Sequence, residues 1–250
     1  MNAGPAVELA HVTKRFGDKL AVDDLSLTVQ TGAFVGLLGR NGAGKSTTLK
    51  MLTGLVRPSS GTIRLLGTPL DDDPIGLKRR IGVMPEEMAL LEMLTGAQYI
   101  RFVGRMYGLS DEVADARGKE LFEKLDLQPG PRTVIADYSF GMKKKVALCA
   151  ALLHGPELLF LDEPFEGIDP VTSRTIKEIL AALQKRGTTI VLTSHILEIV
   201  ERLCDEIAIL ERGKLLDRGT LEQLRRGASL ESAFVELVGG ARDGELSWLK

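Results

Sequence analysis

Hydrophobic and polar residues alternate in two stretches near the start of the chain, at positions 7–12 and 25–29. Alternation with a period of two predicts half-buried strands, which we expect to be antiparallel. Phe34–Leu38 is instead a continuous apolar run, typical of a strand that is buried on both faces. Further short runs rich in β-forming residues predict strands at 63–66, 81–84, 158–161, 189–193 and 207–210.

Helical spacing separates these runs. A helix is expected to begin at Lys45 and to end before Gly54. The pattern is helical through most of 95–153, and again at about 176–183 and 196–203. Because strands alternate with helices, the sequence predicts the α/β class with a mostly parallel sheet. The antiparallel strands at the start and the all-helical middle are expected to be additions to that core.

The composition is that of a folded globular chain. It has 250 residues, of which 44% are hydrophobic and 26% charged, so extensive disorder and a fibrous repeat are excluded. The formal net charge of -2 gives no electrostatic footprint for nucleic acid, and no nucleic acid partner is expected. Cys149 and Cys204 lie in apolar segments and are expected to be small buried residues in a reducing compartment.

The longest apolar run, at 146–153, is far shorter than the roughly 20 residues that a membrane-spanning helix needs. Residues 1–6 lack the basic and apolar regions of a secretory signal. We therefore expect a soluble cytoplasmic protein that reaches a membrane only through a partner.

A phosphate-binding motif, G-x4-G-K-[ST], is complete between Gly39 and Ser46 and lies between a predicted strand and a predicted helix. Its glycines let backbone N–H groups turn towards a phosphate, and the helix presents its positive end to the same charge. Lys45 is expected to reach the β- and γ-phosphates and Ser46 to ligate Mg²⁺. A GTPase is excluded, because Asn2 and Asn41 are the only asparagines and no Asn-Lys-x-Asp motif exists. The loop residues predicted to bind the nucleotide are Gly39, Arg40, Asn41, Gly42, Ala43, Gly44, Lys45, Ser46 and Thr47.

Two adjacent carboxylates, Asp162 and Glu163, follow the predicted strand at 158–161. A buried strand would bring Asp162 beside the phosphate loop, where it can hold Mg²⁺ directly or through water. Successive side chains of a strand point to opposite faces, so Glu163 is expected on the other side of the pleat. There it could polarise an attacking water as general base.

Over about positions 7–224 the chain closely resembles the ATP-binding cassette (ABC) ATPases. Positions 137–145 stand where that family has its LSGGQ-type signature, and 165–170 look like the D-loop that follows the carboxylates. His195 resembles the switch histidine after the next strand, and Phe16 resembles the aromatic residue on which adenine stacks. The order and spacing of these stretches imply a P-loop NTPase core that uses ATP and Mg²⁺.

In this family two protomers meet head to tail and sandwich two ATP molecules, so the resemblance implies a second ATPase protomer as partner, most simply in a homodimer. Ser139 and Gly141 would contact the γ-phosphate held by that partner. The resemblance assigns the catalytic roles to Lys45, Glu163 and His195. The residues expected to hold the metal are Ser46, Glu86 and Asp162.

The chain departs from the family pattern at two motifs. The signature reads Tyr-Ser-Phe-Gly-Met, so Phe140 replaces its first glycine, which we interpret as variation within the family. The lysines at 143–145 are expected to form a solvated basic turn. Glu86 stands where the Q-loop normally has Gln. Our hypothesis is that Glu86 still contacts the metal, and that its negative charge makes hydrolysis more dependent on Mg²⁺ and pH.

The leading interpretation is an ATP-hydrolysing subunit that powers transport, in the export direction, through a separate membrane permease. Similarity to the export-type bacterial branch rests on 94–96 and 106–109, and the helical stretch 89–107 is expected to supply the docking groove. Such a subunit would lie on the inner face of the cell membrane. The alternatives are a soluble ABC ATPase without a transport role and an accessory cassette of a heterodimeric transporter. The presence of Glu163 and His195 argues against an accessory cassette.

The domain organisation follows from these motifs. One ATPase domain is expected at 1–226, with a helical subdomain inserted at approximately 87–156. A short helix and a polar tail are expected at 227–250, the helix packing either on the core or on a partner.

Overall fold

The computed structural model describes residues 4–225, 227 and 229–239. In these residues the strands are β1 (Pro5–Phe16), β2 (Lys19–Gln30), β3 (Phe34–Leu38), β4 (Ser60–Leu65), β5 (Thr68–Pro69), β6 (Ile81–Met84), β7 (Leu158–Asp162), β8 (Thr189–Ser194), β9 (Glu206–Glu211) and β10 (Lys214–Thr220). The helices are α1 (Lys45–Leu52), α2 (Pro74–Arg80), α3 (Gly96–Met106), α4 (Asp111–Lys124), α5 (Phe140–Leu152), α6 (Pro170–Lys185), α7 (Leu197–Leu203), α8 (Leu221–Arg225) and α9 (Leu230–Val238). A short 3₁₀ helix at Ile135–Asp137 precedes α5.

The larger sheet has the strand order β10-β9-β3-β8-β7-β6. Its strands run parallel except β10, which is antiparallel to β9. The central strands β3, β7 and β8 are buried at every position because both faces are covered. In β7, for example, Leu159 and Leu161 face one hydrophobic core, while Leu158 and Phe160 face the other. The carboxyl ends of β3, β6, β7 and β8 therefore meet along one edge of the sheet.

The smaller sheet is antiparallel, with the order β2-β1-β4-β5. Its apolar face packs with α1 and with one face of the larger sheet, around Val7, Leu27, Leu49 and Val35. This arrangement places the end of β1 and the start of β2 near the phosphate loop.

Every regular element between β6 and β7 is a helix. α3 begins with a capping box, in which the Thr95 hydroxyl accepts a hydrogen bond from the Gln98 backbone N–H and the Gln98 side chain accepts one from the Thr95 backbone N–H. Ser110 and Ser139 cap α4 and α5, because each side chain accepts a hydrogen bond from the backbone N–H three residues later. The apolar faces of these three helices pack around Ile100, Ala114 and Leu148.

The predicted α/β fold class is confirmed, and the strands predicted at 34–38 and 81–84 have the predicted bounds. The sequence reading missed β10, whose charged residues and Gly219 hide an edge strand that buries few side chains. The predicted helix at Leu230–Val238 is present and packs on the core through Leu230. The predicted tail at 240–250 lies outside the described residues. No helix in the described part of the chain is both long and apolar enough to cross a bilayer.

Candidate functional site

The phosphate loop joins β3 to α1 in a backbone path that requires glycine. Gly42 and Gly44 have φ values of +83° and +104°, in the region where a side chain is strained. A Cβ atom on Gly44 would also lie 2.7 Å from the carbonyl oxygen of Ala21. Gly44 caps α1 without any side-chain hydrogen bond to the first turn. The first N–H groups of α1 are thus free of a side-chain cap, as a helix end that receives a phosphate should be.

Lys45 is a buried lysine at the first position of α1, with 6% of its surface exposed. Its Nζ donates a hydrogen bond to the carbonyl oxygen of Gly39 at 2.7 Å. The same Nζ lies 3.6 Å from Oε1 of Glu163. Lys45 therefore connects the phosphate loop with the end of β7, and its positive charge lies between these two segments.

Three side-chain oxygens gather beside the loop, from Ser46, Glu86 and Asp162. The Ser46 Oγ lies 3.2 Å from Oδ1 of Asp162 and 3.3 Å from Oε2 of Glu86. A hydroxyl has one proton to donate, so the two carboxylates share it. Asp162 is buried, and burial raises its pKa, while hydrogen bonds from Thr193 and Ser46 oppose that rise.

Glu163 has a left-handed backbone, with φ at 47°, immediately after β7. Such a conformation costs a residue other than glycine roughly 1–3 kcal/mol, and it persists only where the surroundings hold it. The backbone N–H of Glu163 donates to Oγ1 of Thr193 at 3.0 Å, and its carbonyl oxygen accepts from Nζ of Lys144 at 2.7 Å. The side chain is buried, and its Oε2 lies 3.0 Å from Nδ1 of the half-exposed His195.

The left-handed turn explains why the alternation argument for Glu163 was wrong. The strand ends at Asp162, so the pleat no longer decides where the next side chain points. Both carboxylates face the phosphate loop instead, Asp162 towards Ser46 and Glu163 towards Lys45. Thr193 reaches both residues, because its Oγ1 also donates to Oδ1 of Asp162 at 2.5 Å.

A cavity of about 310 Å³ lies in front of the phosphate loop. The predicted residues from Arg40 to Thr47 line it together with Glu86, Glu163 and His195. Lys19 and Glu166 also line it, although the sequence analysis had not selected them. Asp162 lies behind Ser46, in hydrogen-bond contact with it.

Three predicted residues lie away from this cavity. Phe16, at the end of β1, is 48% exposed, and Nζ of Lys14 lies 4.7 Å from its ring centroid. Ser139 and Gly141 lie at the start of α5, where the Ser139 Oγ accepts a hydrogen bond from the Met142 N–H at 3.2 Å. Neither of these two residues lines the cavity in front of the phosphate loop of its own chain.

The expected solvated turn at 143–145 is wrong for its central lysine. Lys144 is 1% exposed, whereas Lys143 forms an ion pair with Glu92 at 2.6 Å. The period of α5 turns Lys144 inward, towards the end of β7. The signal in the sequence was its place three and four residues before the apolar Ala147 and Leu148, which lie on the same side of the helix and are buried.

Comparisons with known proteins agree with this geometry. A family model described as ABC transporter matches residues 22–166. The chain is 42% identical over 213 residues to the Nod factor export ATP-binding protein I of Burkholderia lata, across 85% of this chain and 70% of that protein. A solved ATP-binding subunit of an ABC transporter matches with a TM-score of 0.87 and 35% identity, across 93% of this chain and 99% of the other.

A second solved structure is an ATP-binding cassette captured as a dimer, in a post-hydrolysis state bound to ADP and Pi. It matches with a TM-score of 0.79 and 25% identity, across 86% of this chain and 98% of that one. The chain therefore belongs to the ABC transporter family, as one of its ATP-binding subunits.

Proposed function

We propose that this chain hydrolyses ATP, with Mg²⁺, to power export through a separate membrane permease. The observation that carries the proposal is the convergence of the phosphate loop, Glu163 and His195 on one cavity, with Asp162 in hydrogen-bond contact with Ser46 of that loop. In this proposal the ATPase domain comprises 1–226 with a helical insert at about 87–156, and 227–250 form an appendage.

The phosphate loop is proposed to bind the triphosphate through its backbone N–H groups and through Lys45. Arg40, Asn41 and Thr47 line the same cavity and would extend these contacts. Phe16 offers an exposed ring for the adenine base. The nearby Lys14 ammonium adds positive charge on that side.

The residues around Ser46 fit a magnesium ion. The carboxylates of Asp162 and Glu86 lie within 3.3 Å of the Ser46 hydroxyl oxygen. All three groups offer hard oxygen ligands, which Mg²⁺ prefers. In the described part of the chain, no three His, Cys, Asp or Glu side chains gather as a metal site. One or two carboxylates supplemented by substrate phosphates are the usual environment of Mg²⁺. Bound there, the ion would offset the negative charge of the phosphates.

Glu163 is proposed to act as the general base. Its carboxylate would take a proton from a water whose oxygen forms the new bond to the γ-phosphorus, while the bond from that phosphorus to the β–γ bridging oxygen breaks. The products are ADP and inorganic phosphate. His195 would hold Glu163 in place through its Nδ1–H, and Lys45 would stabilise the charge that develops on the phosphate oxygens.

A second copy of the chain is proposed to complete each site. Ser139 is exposed at the start of α5, and a helix N-terminus with free N–H groups is suited to a γ-phosphate. In a homodimer each protomer would supply Ser139 and Gly141 to the ATP bound by the other.

Docking on the permease is proposed to use the helical insert. A groove of about 250 Å³ runs between the loop after β6 and α3, lined by Leu90, Tyr99, Phe102 and Met106 among others. Phe102 and Met106 are 42% and 67% exposed and lie together in this groove, and a contiguous exposed apolar patch is typical of a binding surface. The chain would thus be held at the cytoplasmic face of the membrane.

Affinity purification of the tagged full chain from its native membrane tests this function. We expect a protein with several membrane spans to co-purify with the wild type and to be lost with Met106→Glu. The ATPase activity of the isolated Met106→Glu protein should remain, because Met106 is remote from the phosphate loop cavity. Ribosomes or DNA in place of a membrane protein would contradict the transport role. A wild-type protein without Mg²⁺-dependent ATPase activity would contradict the proposed chemistry.

A further inference from the structure

Lys144 is a buried charge that the proposed chemistry leaves unexplained. It lies on the second turn of α5, and only 1% of its surface is exposed. Burial lowers the pKa of Lys144, while the carboxylates of Glu166 and Glu163 oppose this effect. A long charged side chain is rarely buried unless specific partners hold it.

The partners of Lys144 belong to the turn that follows β7. Its Nζ donates to the carbonyl oxygen of Glu163 at 2.7 Å and lies 3.9 Å from Oε2 of Glu166. Phe140, one turn earlier on α5, provides a ring whose centroid is 5.2 Å from the same Nζ. The first two turns of α5 and the turn after β7 are therefore bound together within one chain.

A second contact joins the same two segments. A Cβ atom on Gly167 would lie 2.7 Å from Cε1 of Phe140, so the ring packs directly on the backbone of this glycine. Phe140 is the residue that replaces a glycine of the family signature.

The backbone of Glu163 needs such support, because its φ of 47° is unfavourable for a residue with a side chain. Thr193 fixes the N–H end of this residue, and Lys144 fixes the carbonyl end. The carboxylate that faces Lys45 and His195 therefore takes its direction from a backbone held by β8 on one side and by α5 on the other.

We propose that Lys144 is a positioning residue for Glu163. Lys144 links the start of α5, which is proposed to meet the ATP of the other protomer, to the general base of the same chain. This inference rests on the proposed role of Glu163 in hydrolysis. The reaction needs the carboxylate within hydrogen-bond reach of a water, and a displacement of about 1 Å can cost up to a hundredfold in rate. Lys144 thus acts on turnover through geometry, without touching the substrate.

The test compares Lys144→Met with the wild type in steady-state ATP hydrolysis. We expect kcat to fall about tenfold and KM for ATP to change less than twofold, because Lys144 does not line the cavity in front of the phosphate loop. Lys144→Arg retains a donor and should recover at least half of the wild-type kcat. Lys143→Met is the matched control, since its ammonium binds Glu92 and should leave kcat unchanged.

A double-mutant cycle with Glu163→Gln separates positioning from a general loss of structure. If Lys144 acts through Glu163, Lys144→Met should have little further effect in the Glu163→Gln background. An equal loss in both backgrounds, an unchanged kcat in Lys144→Met alone, or no recovery with Lys144→Arg would overturn the inference. If Lys144→Met does not fold, judged by circular dichroism, the cycle is carried out with Lys144→Gln. Near-normal turnover of Glu163→Gln itself would instead overturn the role of Glu163, so the two failures are distinguishable.

Discussion

The sheet edge at the phosphate loop and the first turn of α5 are both proposed to bind phosphate, but they differ in completeness. At the sheet edge, residues from four separate stretches already contact one another within one chain, and Lys45, Asp162 and Glu163 are buried. At the start of α5, Ser139 and Phe140 are exposed, and the Ser139 hydroxyl only caps its own helix.

This difference teaches that the fold alone organises one region, whereas in the proposed function the other region is completed by a second protomer. Buried charges such as Lys45 and Glu163 are stable only when their neighbours are fixed, so that site must be assembled during folding. An exposed helix N-terminus costs little on its own, because water satisfies its N–H groups. Five experiments can break or sharpen the comparison, and they follow in order of decreasing expected effect.

The largest effect is expected from Glu163→Gln. The variant should bind ATP and dimerise, yet turn over at least a hundredfold more slowly, about 3 kcal/mol of barrier, because an amide cannot accept the proton from water. Phosphate release under single-turnover conditions measures the loss, and equilibrium binding of ATP serves as the control. Near-normal turnover would show that the base lies elsewhere.

Ser139→Ala is expected to lower turnover by roughly ten- to a hundredfold, since a hydrogen bond to a charged group contributes about 1.5–3 kcal/mol. The change also removes a helix cap, so Ser110→Ala is the matched control. Ser110 caps α4 in the same geometry, with its Oγ accepting from the Val113 N–H at 3.3 Å. An equal loss of turnover in Ser110→Ala would reduce the role of Ser139 to capping.

The partner role of Ser139 can be tested by cross-linking two chains. Ser139→Cys mixed with Asn41→Cys should form a covalent dimer with a short bis-maleimide when ATP is present. The native Cys149 and Cys204 are buried and should not interfere. Mixtures of Ser139→Cys with wild type give the background. Cross-linking that ignores ATP, or none at all, would argue against a head-to-tail dimer.

A smaller effect is expected at Glu86, whose carboxylate shares the Ser46 hydroxyl with Asp162. Glu86→Gln removes one negative charge near the phosphates, which is worth about 1 kcal/mol, or roughly fivefold in affinity, across a partly solvated site. Removal of Mg²⁺ by a chelator should weaken ATP binding in both proteins. The loss of affinity should be about fivefold smaller in Glu86→Gln than in the wild type. The Mg²⁺ and pH profiles of hydrolysis should shift as well. Identical profiles would disprove the hypothesis for Glu86.

The smallest effect is expected on the free energy of unfolding. It concerns Asp162, the last residue of β7, and Glu157, which precedes that strand. Burial raises the pKa of Asp162, so its ionised form is disfavoured in the folded chain. Asp162→Asn should therefore stabilise the nucleotide-free protein at pH 7 by about 0.5–2 kcal/mol, as is common when a functional site is relieved. This gain should shrink as the pH falls through the raised pKa, because the wild-type carboxyl then becomes neutral. Thermal unfolding of both proteins between about pH 4 and 7.5 measures this difference in stability.

Glu157, just before β7, provides the opposite sign for comparison. Its hydrogen bonds with Arg80 hold its pKa below the usual value, so its stabilising effect is present at neutral pH and is lost as the pH falls through the lowered pKa. Glu157→Gln should therefore destabilise the protein at pH 7. If both variants changed stability in the same direction, burial would not be the cause at Asp162.

The sequence was sufficient for the features that depend on local order. The period of the apolar residues predicted β3 and β6 to the residue, and the glycine spacing predicted the phosphate loop. It was not sufficient for Glu163, where the end of a strand replaced the expected alternation with a left-handed turn. Nor did it identify Thr193, which contacts two carboxylates across neighbouring strands. Such contacts depend on strand order, and a single sequence does not reveal which strands lie side by side.

The sequence by itself determined the class of fold, the phosphate-binding loop and the kinds of charged residue available to it. Only the tertiary structure decided that Lys144 is buried against Glu163 and that Ser139 does not line the phosphate-loop cavity of its own chain. The physical reason is that motifs are set by spacing along the chain, which backbone geometry translates directly into helices, strands and loops. The direction and burial of a single side chain depend on elements far away in sequence, which meet only when the sheet and helices pack.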